Sequence, residues 1–378
     1  MQERRRAALR GPTAVKRPKA EDTGGVEHRG LALRLRQLES EGRKGSAAYR
    51  DASEKHAEAL HRRLRELGCD LSAQELKTLN KPDNEGEIAL HKVVYEYFAL
   101  ASGARGQTTL KRMEHCVRKA RALCEAGAKV NHKNKYGDSP LLAAAQTDAA
   151  EIAKILLEFK ADLAVKNRQG YAPLLMAASE NRAAVAAVIV PAMAASHKKQ
   201  ALDALSGGYA ALHWACINNS PKLVQTLLKH KADKNVRTDP DQQTPLMKAA
   251  AYGSAAAVEQ LLRARCDATA TDADGRTALH HAAKNKATLC VQLLISTGVP
   301  TDVVDHHNQK AIFYAAVAKS RSCVTAISAA TPNFAATPDA AKVKLLMEGK
   351  RIAADDDDDD PMHDANLFGG CFAAAGCF

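Results

Sequence analysis

The sequence predicts an all-α solenoid, a stack of short helices built from one repeated unit. Two observations predict it. A similar segment returns at steps of 33, 38, 34, 33 and 34 residues through the middle of the chain, and stacked architectures repeat on that scale. Aromatic residues make up only 4% of the 378 positions although 46% are apolar. Aromatic side chains supply most area per residue in ordinary cores, so this core must be filled by small and aliphatic side chains at close spacing.

Composition also excludes several classes. The longest apolar run, Ala183–Ala195, contains Pro191 and falls short of the roughly 20 residues that cross a bilayer. The opening Met-Gln-Glu-Arg-Arg-Arg stretch has charge but no apolar segment behind it, so no secretory signal is expected. The 9 cysteines are dispersed without a Cys-x-x-Cys pair, which signals neither a zinc ribbon nor a redox pair. Reduced, buried thiols in a cytoplasmic protein are expected, with the nucleus as the alternative.

The repeat is legible residue by residue. Tyr136-Gly-Asp-Ser-Pro-Leu-Leu-Ala-Ala-Ala, Gln169-Gly-Tyr-Ala-Pro-Leu-Leu-Met-Ala-Ala and Gly207-Gly-Tyr-Ala-Ala-Leu-His-Trp-Ala-Cys align. So do Asp241-Gln-Gln-Thr-Pro-Leu-Met-Lys-Ala-Ala, Asp274-Gly-Arg-Thr-Ala-Leu-His-His-Ala-Ala and Asn308-Gln-Lys-Ala-Ile-Phe-Tyr-Ala-Ala-Val. An earlier copy opens at Glu85-Gly-Glu-Ile-Ala-Leu-His-Lys-Val-Val. The following halves match as well, in Ala153-Lys-Ile-Leu-Leu-Glu-Phe-Lys-Ala-Asp, Val224-Gln-Thr-Leu-Leu-Lys-His-Lys-Ala-Asp and Val258-Glu-Gln-Leu-Leu-Arg-Ala-Arg-Cys-Asp. Together these resemble the ankyrin repeat family, with its Gly-x-Thr-Pro-Leu-His-x-Ala-Ala, its Val-x-x-Leu-Leu helix and its Gly-Ala-Asp ending. About seven degenerate copies cover residues 84–330.

The resemblance implies stacked helix-turn-helix repeats with projecting β-turn hairpins. One repeat cannot bury its own face, so its neighbours supply the core. The paired Ala-Ala sites let first helices approach closely, and Leu-Leu of the second helix fills the space between repeats. Thr or Ser before Pro-Leu is expected to cap the first helix, with Pro at its first position. His91, His213 and His280 are expected to bond backbone and stiffen the turn.

Departures from the motif mark particular copies. In the first, the extra stretch Phe98–Lys111 reads as a lengthened loop between the two helices. The second helix of the third copy is expected to bend or break at Pro191. Pro221 opens the second helix of the fourth copy, where proline is tolerated. Gln242 replaces the turn glycine of the fifth. The second helix of the seventh, around Cys323, reads as a C-terminal cap.

Outside the array the chain changes character. Residues 1–82 hold 19 basic and 12 acidic residues, whereas 331–378 hold 4 and 9. Residues 1–30 are expected to be a disordered basic arm. Residues 31–82 form a helical basic region in which Ala57, Leu60, Leu64 and Leu67 make one apolar stripe. Residues 331–378 read as an acidic, largely disordered tail with a short helix at 340–352 and six acids at Asp355–Asp360.

No catalytic set, cofactor motif or metal site emerges. Asp305-His306-His307-Asn308 lacks the cysteine of the Asp-His-His-Cys signature of protein palmitoyltransferases. His280-His281 and His306-His307 lack Cys or carboxylate partners at ligand spacing. A non-enzymatic scaffold or adaptor, monomeric, is the expectation. By the resemblance, turn tips and first-helix faces form a concave strip that meets protein partners. Its slots hold Tyr95, Tyr136, Arg168, Tyr171, Tyr209, Ile217, Asn218, Tyr252, Arg276, Lys284 and Lys310. Tyr and Arg dominate binding hot spots, and a basic strip favours an acidic or mixed-charge partner. Trp214 is placed on a helix interior instead. Two other readings use the flanks. The basic residues 1–82 suggest a nucleic-acid- or chromatin-associated factor, and Cys371 and Cys377 suggest a lipid-anchored adaptor.

Overall fold

The computed structural model describes residues 31–349 except 35–36, 45, 70, 104–105 and 196–201. Helical residues at 31–34 and 37–40 come first, followed by α1 (Ala47–Glu66) and α2 (Ala73–Thr78). Seven helix pairs follow. They are α3 (Ala89–Ser102) with α4 (Gln107–Glu125), α5 (Pro140–Thr147) with α6 (Ala150–Glu158), and α7 (Pro173–Ser179) with α8 (Ala183–Ala195). Next come α9 (Ala211–Ile217) with α10 (Pro221–Lys229), and α11 (Pro245–Ala251) with α12 (Ala255–Arg263). The last are α13 (Ala278–Lys284) with α14 (Thr288–Ser296), and α15 (Ala311–Val317) with α16 (Arg321–Ala330). A 3-10 turn at Phe334–Ala336 leads into α17 (Pro338–Glu348). First helices stack on first helices and second helices on second helices, in two layers. Among the described residues there are no strands, only isolated bridges at Ser206–Tyr209 and Val304–Lys310 within hairpins.

The core is one continuous cluster running the length of the stack. Ala144, Ala145, Ala177, Ala178, Ala249, Ala250, Ala282, Ala283, Ala315 and Ala316 are wholly shielded from solvent, so the paired-alanine sites are the surfaces on which first helices meet. Leu156, Leu227, Leu261 and Leu294 fill the layer of second helices. Among the described residues Phe313 is the one buried Phe, Tyr or Trp, which accounts for the low aromatic content. Six of the seven described cysteines are buried and none is disulfide-bonded. Burial pushes the Cys290 and Cys266 thiols up to about 11 and Cys124 up to about 12, so all three stay protonated at neutral pH.

Several local expectations are corrected. The extra stretch of the first copy is absorbed by longer helices, since α3 runs 14 residues and α4 runs 19. Only Gly103–Gly106 separates the two helices, with Gly103 ending the first and Gly106 preceding the second, and the rest of the stretch is helical. Helix α8 passes through Pro191 without breaking. Its apolar run is buried at Val185, Ala186, Ile189, Val190 and Met193, and that packing outweighs one lost backbone hydrogen bond. In α1 the buried stripe is Ala52, Ala59, Leu60 and Leu64, with Ala57 exposed.

The ends of the stack are closed from both sides. Leu60, Leu64, Leu71 and Leu79 join the common core. Arg63 pairs with Glu125 at 3.1 Å, Lys119 with Glu75 at 2.8 Å, and Asn80 bridges the Gly127 carbonyl and the Lys129 N–H. At the other end α17 packs on α15, as an eighth first helix would, and buries Val343. The helix expected at 340–352 therefore starts earlier, with Pro338 at its first position after the extended Thr337. The arm at 1–30, Asp355–Asp360, Cys371 and Cys377 lie outside the described residues.

Candidate interaction site

All but one of the hairpins that project between repeats are closed by one side chain, at a position the motif reading did not single out. The Oδ1 atoms of Asp83, Asn134, Asn167, Asp272 and Asp305 accept from the backbone N–H groups two and four residues on, at 2.8–3.1 Å. Such a short side chain reproduces a backbone turn. In two hairpins a hydroxyl residue stands there instead. Thr238 Oγ1 accepts from the Gln243 N–H at 2.9 Å, and Ser206 Oγ donates to the Gly170 carbonyl at 2.9 Å.

Successive hairpins are tied by main chain. Lys135, Arg168, Asp239, Ala273 and His306 donate their N–H to Glu85, Tyr136, Gly208, Asp241 and Asp274 of the hairpin before, at 2.9–3.2 Å. This approach explains the glycine of the motif at Gly137. Its φ is +84°, and an added Cβ would lie 2.9 Å from the Arg168 nitrogen. Where the motif glycine is missing, Gln242 and Asn308 still take the left-handed conformation, with φ of 55° and 54°.

The motif histidines act as expected. Nε2 of His91, His213 and His280 donates to the Asp138, Gln243 and Gln309 carbonyls of the next repeat at 3.0–3.1 Å. The Nδ1 of His213 and of His280 accepts from the N–H of Ala210 and of Thr277, which fixes the neutral tautomer. Burial lowers the affinity of all three for a proton, to about 4 for His213. Ser139 and Thr244 cap their helices as expected, accepting from Leu142 and Met247.

Between hairpins and first helices lies a polar row. The second oxygen of the hairpin acid reaches the residue after the motif histidine. Lys92 bonds Asp83 Oδ2 at 2.9 Å, His281 bonds Asp272 Oδ2 at 2.9 Å, and Tyr314 bonds Asp305 Oδ2 at 2.5 Å. Arg276 adds ion pairs to Asp272 at 3.4 Å and to Asp274. Burial raises the Asp272 carboxyl, but bonds from His281 and the Arg276 backbone outweigh it and hold the group below the usual range.

The eleven predicted site residues divide on this frame. Tyr136, Arg168 and Tyr252 are exposed, Tyr136 and Tyr252 by 54% and 53%. Tyr136 and Arg168 are joined through the backbone of adjacent hairpins, and Lys135 lies 4.9 Å over the Tyr136 ring. Tyr95 and Tyr171 are half-buried against the core, and burial pushes the Tyr95 phenol up to about 12. Tyr209 is half-buried, 5.2 Å from Trp214 between ring centroids and 4.8 Å from Lys248 Nζ. Asn218 donates to the Ala178 and Ser179 carbonyls at the end of α7. Lys310 pairs with Asp339 of α17 at 2.6 Å. Ile217 and Lys284 are half-buried at the last positions of α9 and α13. Trp214, read as interior, is half-buried on the polar row. The signal that could have found this row is the acid or amide five residues before the helix cap, recurring at 83, 134, 167, 272 and 305.

With this geometry in place, comparison with known proteins is direct. The family model described as ankyrin repeats matches three times, over residues 112–201, 193–272 and 246–336. The chain belongs to the ankyrin repeat family. Among solved structures it is similar to the ankyrin repeat domain of Bcl-3, described as a unique member of the IkappaB protein family. That likeness has a TM-score of 0.52 and 21% identity, over 65% of this chain and 99% of that one. The human ASB11 ankyrin repeat domain is similar at a TM-score of 0.51 and 22% identity, over 65% of this chain and 98% of that one. At these identities the likeness concerns the fold. No curated protein matches the chain. Ankyrin repeats are in general protein–protein interaction modules. Among the described residues no helix is long and apolar enough to cross a membrane.

Proposed function

We propose that the array is a scaffold or adaptor that captures a partner protein along the face where hairpins and first helices meet. The observation that carries this reading is the exposure of Tyr136, Arg168 and Tyr252 on a rigid frame. Hairpin side chains elsewhere along the row are committed to internal bonds. Large, stiff side chains presented by a preorganised frame lose little entropy on binding. Tyr95, Tyr171, Tyr209, Ile217, Asn218, Arg276, Lys284 and Lys310 then form the supporting floor, with their outer edges in contact. The net charge of +11 favours an acidic or mixed-charge partner.

The test is proximity labelling in the native cell with the full chain and with the combined variant Tyr136→Ala, Arg168→Ala, Tyr252→Ala. The variant is expected to fold normally, since none of the three is buried, and to lose its strongest labelled proteins. An unchanged labelled set would show that this face is not the one that meets partners.

A further inference from the structure

Two consecutive repeats break the pairing rule of the polar row. In the first, sixth and seventh copies the polar residue after the histidine position of the motif, which Phe313 fills in the seventh, is answered by a hairpin acid. In the fourth and fifth copies the equivalent residues are Trp214 and Lys248, and the positions five residues before the caps hold Leu205 and Asp239, with the hydroxyl residues Ser206 and Thr238 beside them. Neither hydroxyl bonds Trp214 or Lys248, since Ser206 donates to the Gly170 carbonyl and Thr238 accepts from the Gln243 N–H. In the fourth copy the slot holds no acid, and in the fifth the reason is loop length. The fifth hairpin is one residue longer, so Thr238 takes the closing position and Asp239 is displaced to the exposed outside.

The consequence is two donors without an acid. Lys248 is 8% exposed, and its Nζ has one hydrogen bond, to Tyr209 Oη at 3.2 Å. Among the described residues no carboxylate lies within ion-pair distance of it. Trp214 Nε1 is shielded from water and has no acceptor. Both side chains touch the same ring, that of Tyr209. A buried ammonium without a counter-charge is costly unless an anion is supplied. It is also the arrangement that rejects an uncharged ligand and rewards a carboxylate, because only the latter satisfies it.

We infer that the Tyr209–Trp214–Lys248 cluster is a recognition site for a carboxylate side chain, Asp or Glu, of an extended segment of a partner protein. The inference rests on the partner-binding role of this face and adds the chemistry read at its centre. The partner's carboxylate takes the place that Asp83, Asp272 and Asp305 hold in other repeats, accepting from Lys248 Nζ, with the indole N–H as second donor. The Tyr209 ring, bearing on both donors, holds them in position.

Trp214 is the single tryptophan of the chain, so its fluorescence and indole N–H resonance report on this site alone. The probe is an extended dodecapeptide of alternating Glu and Ser, titrated into the full chain beside its Gln counterpart. The Glu peptide should shift both Trp214 signals, and the Gln peptide should shift neither. Lys248→Met should weaken the Glu peptide at least about tenfold, as expected for loss of a charged hydrogen bond. Its thermal midpoint should stay level or rise, because an unpaired buried charge has been removed. Lys286→Met, at an exposed lysine, should change nothing.

Equal affinity of Lys248→Met, equal binding of the Gln peptide, or a fall in the Lys248→Met midpoint with binding retained would overturn the inference. A Trp214 shift produced by changing Asp355–Asp360 to Asn, with no peptide added, would also overturn it by assigning the site to the chain's own tail. If Lys248→Met keeps the labelled partners that the Tyr136, Arg168, Tyr252 variant loses, the site fails while the face stands. If neither variant loses partners, the face fails with it.

Discussion

His213 shows how much one side chain can hold together. It closes its own helix cap through Nδ1, bonds the next repeat through Nε2, and does both only while neutral. Its affinity for a proton is lowered from the ordinary histidine value to about 4, and His91, His280 and His281 are lowered by the same burial. Between these limits the unfolded chain binds more protons than the folded one, so stability rises with pH. The stabilisation is complete above about pH 6.5 and is lost as pH falls toward 4, where each tenfold loss of proton affinity on folding corresponds to about 1.4 kcal/mol. Urea midpoints measured from about pH 7.5 to about pH 4.5 should fall across that window, and His213→Gln should flatten the slope. At the core, Leu227 has no exposed surface, so Leu227→Ala should cost about 2–5 kcal/mol by denaturant titration. Lys248 and Trp214 belong to this scale as well. Nothing in a repeat motif says that a lysine or tryptophan lacks its acid, because that depends on which hairpin atom reaches it across the fold.

At the scale of the element, helix caps and hairpins carry the predictions. Ala172 stands where Ser139 and Thr244 cap their helices, and it makes no side-chain cap. Ala172→Ser should stabilise the third repeat by about 0.5–1 kcal/mol, read as a raised urea midpoint. Gly137 and Gly298 both have positive φ, but a Cβ at Gly298 meets nothing within 4 Å. Gly298→Ala should therefore cost only the backbone strain of about 1 kcal/mol. Gly137→Ala should cost clearly more, because it also forces apart the bond between adjacent hairpins. Amide exchange of Arg168 would report that opening directly. Element boundaries were legible where a cap residue or proline stands at the position the motif gives it, as at Ser139-Pro140 and Ser220-Pro221. They were not legible at Pro191, where burial of the helix face outweighs the local signal, or at the stretch 98–111, where the two helices extend to either side of Gly103 and Gly106 without burying that stretch.

On the scale of the whole molecule, the stack is longer than the repeated motif. Residues 60–82 close one end and α17 the other, although neither carries the motif. Terminal units of a solenoid must cover a face that would otherwise meet water. Removing residues 337–378 should therefore uncover α15 and speed amide exchange throughout α15 and α16, while α5 and α6 keep their protection. Equal exchange in both regions would mean that α17 is not a cap.

The sequence by itself determined the repeat, its period, the alanine and leucine faces, and the histidines that bond the turns. All of these are set within one repeat of 33 or 34 residues and its immediate neighbour, and periodic patterns report such short-range constraints. Only the tertiary structure decided which tyrosines are exposed, where the hairpin acids reach, and which donors they leave unanswered. Those contacts join residues of different elements across the face of the stack, and a one-residue change in hairpin length redirects them without altering the motif that precedes the helix.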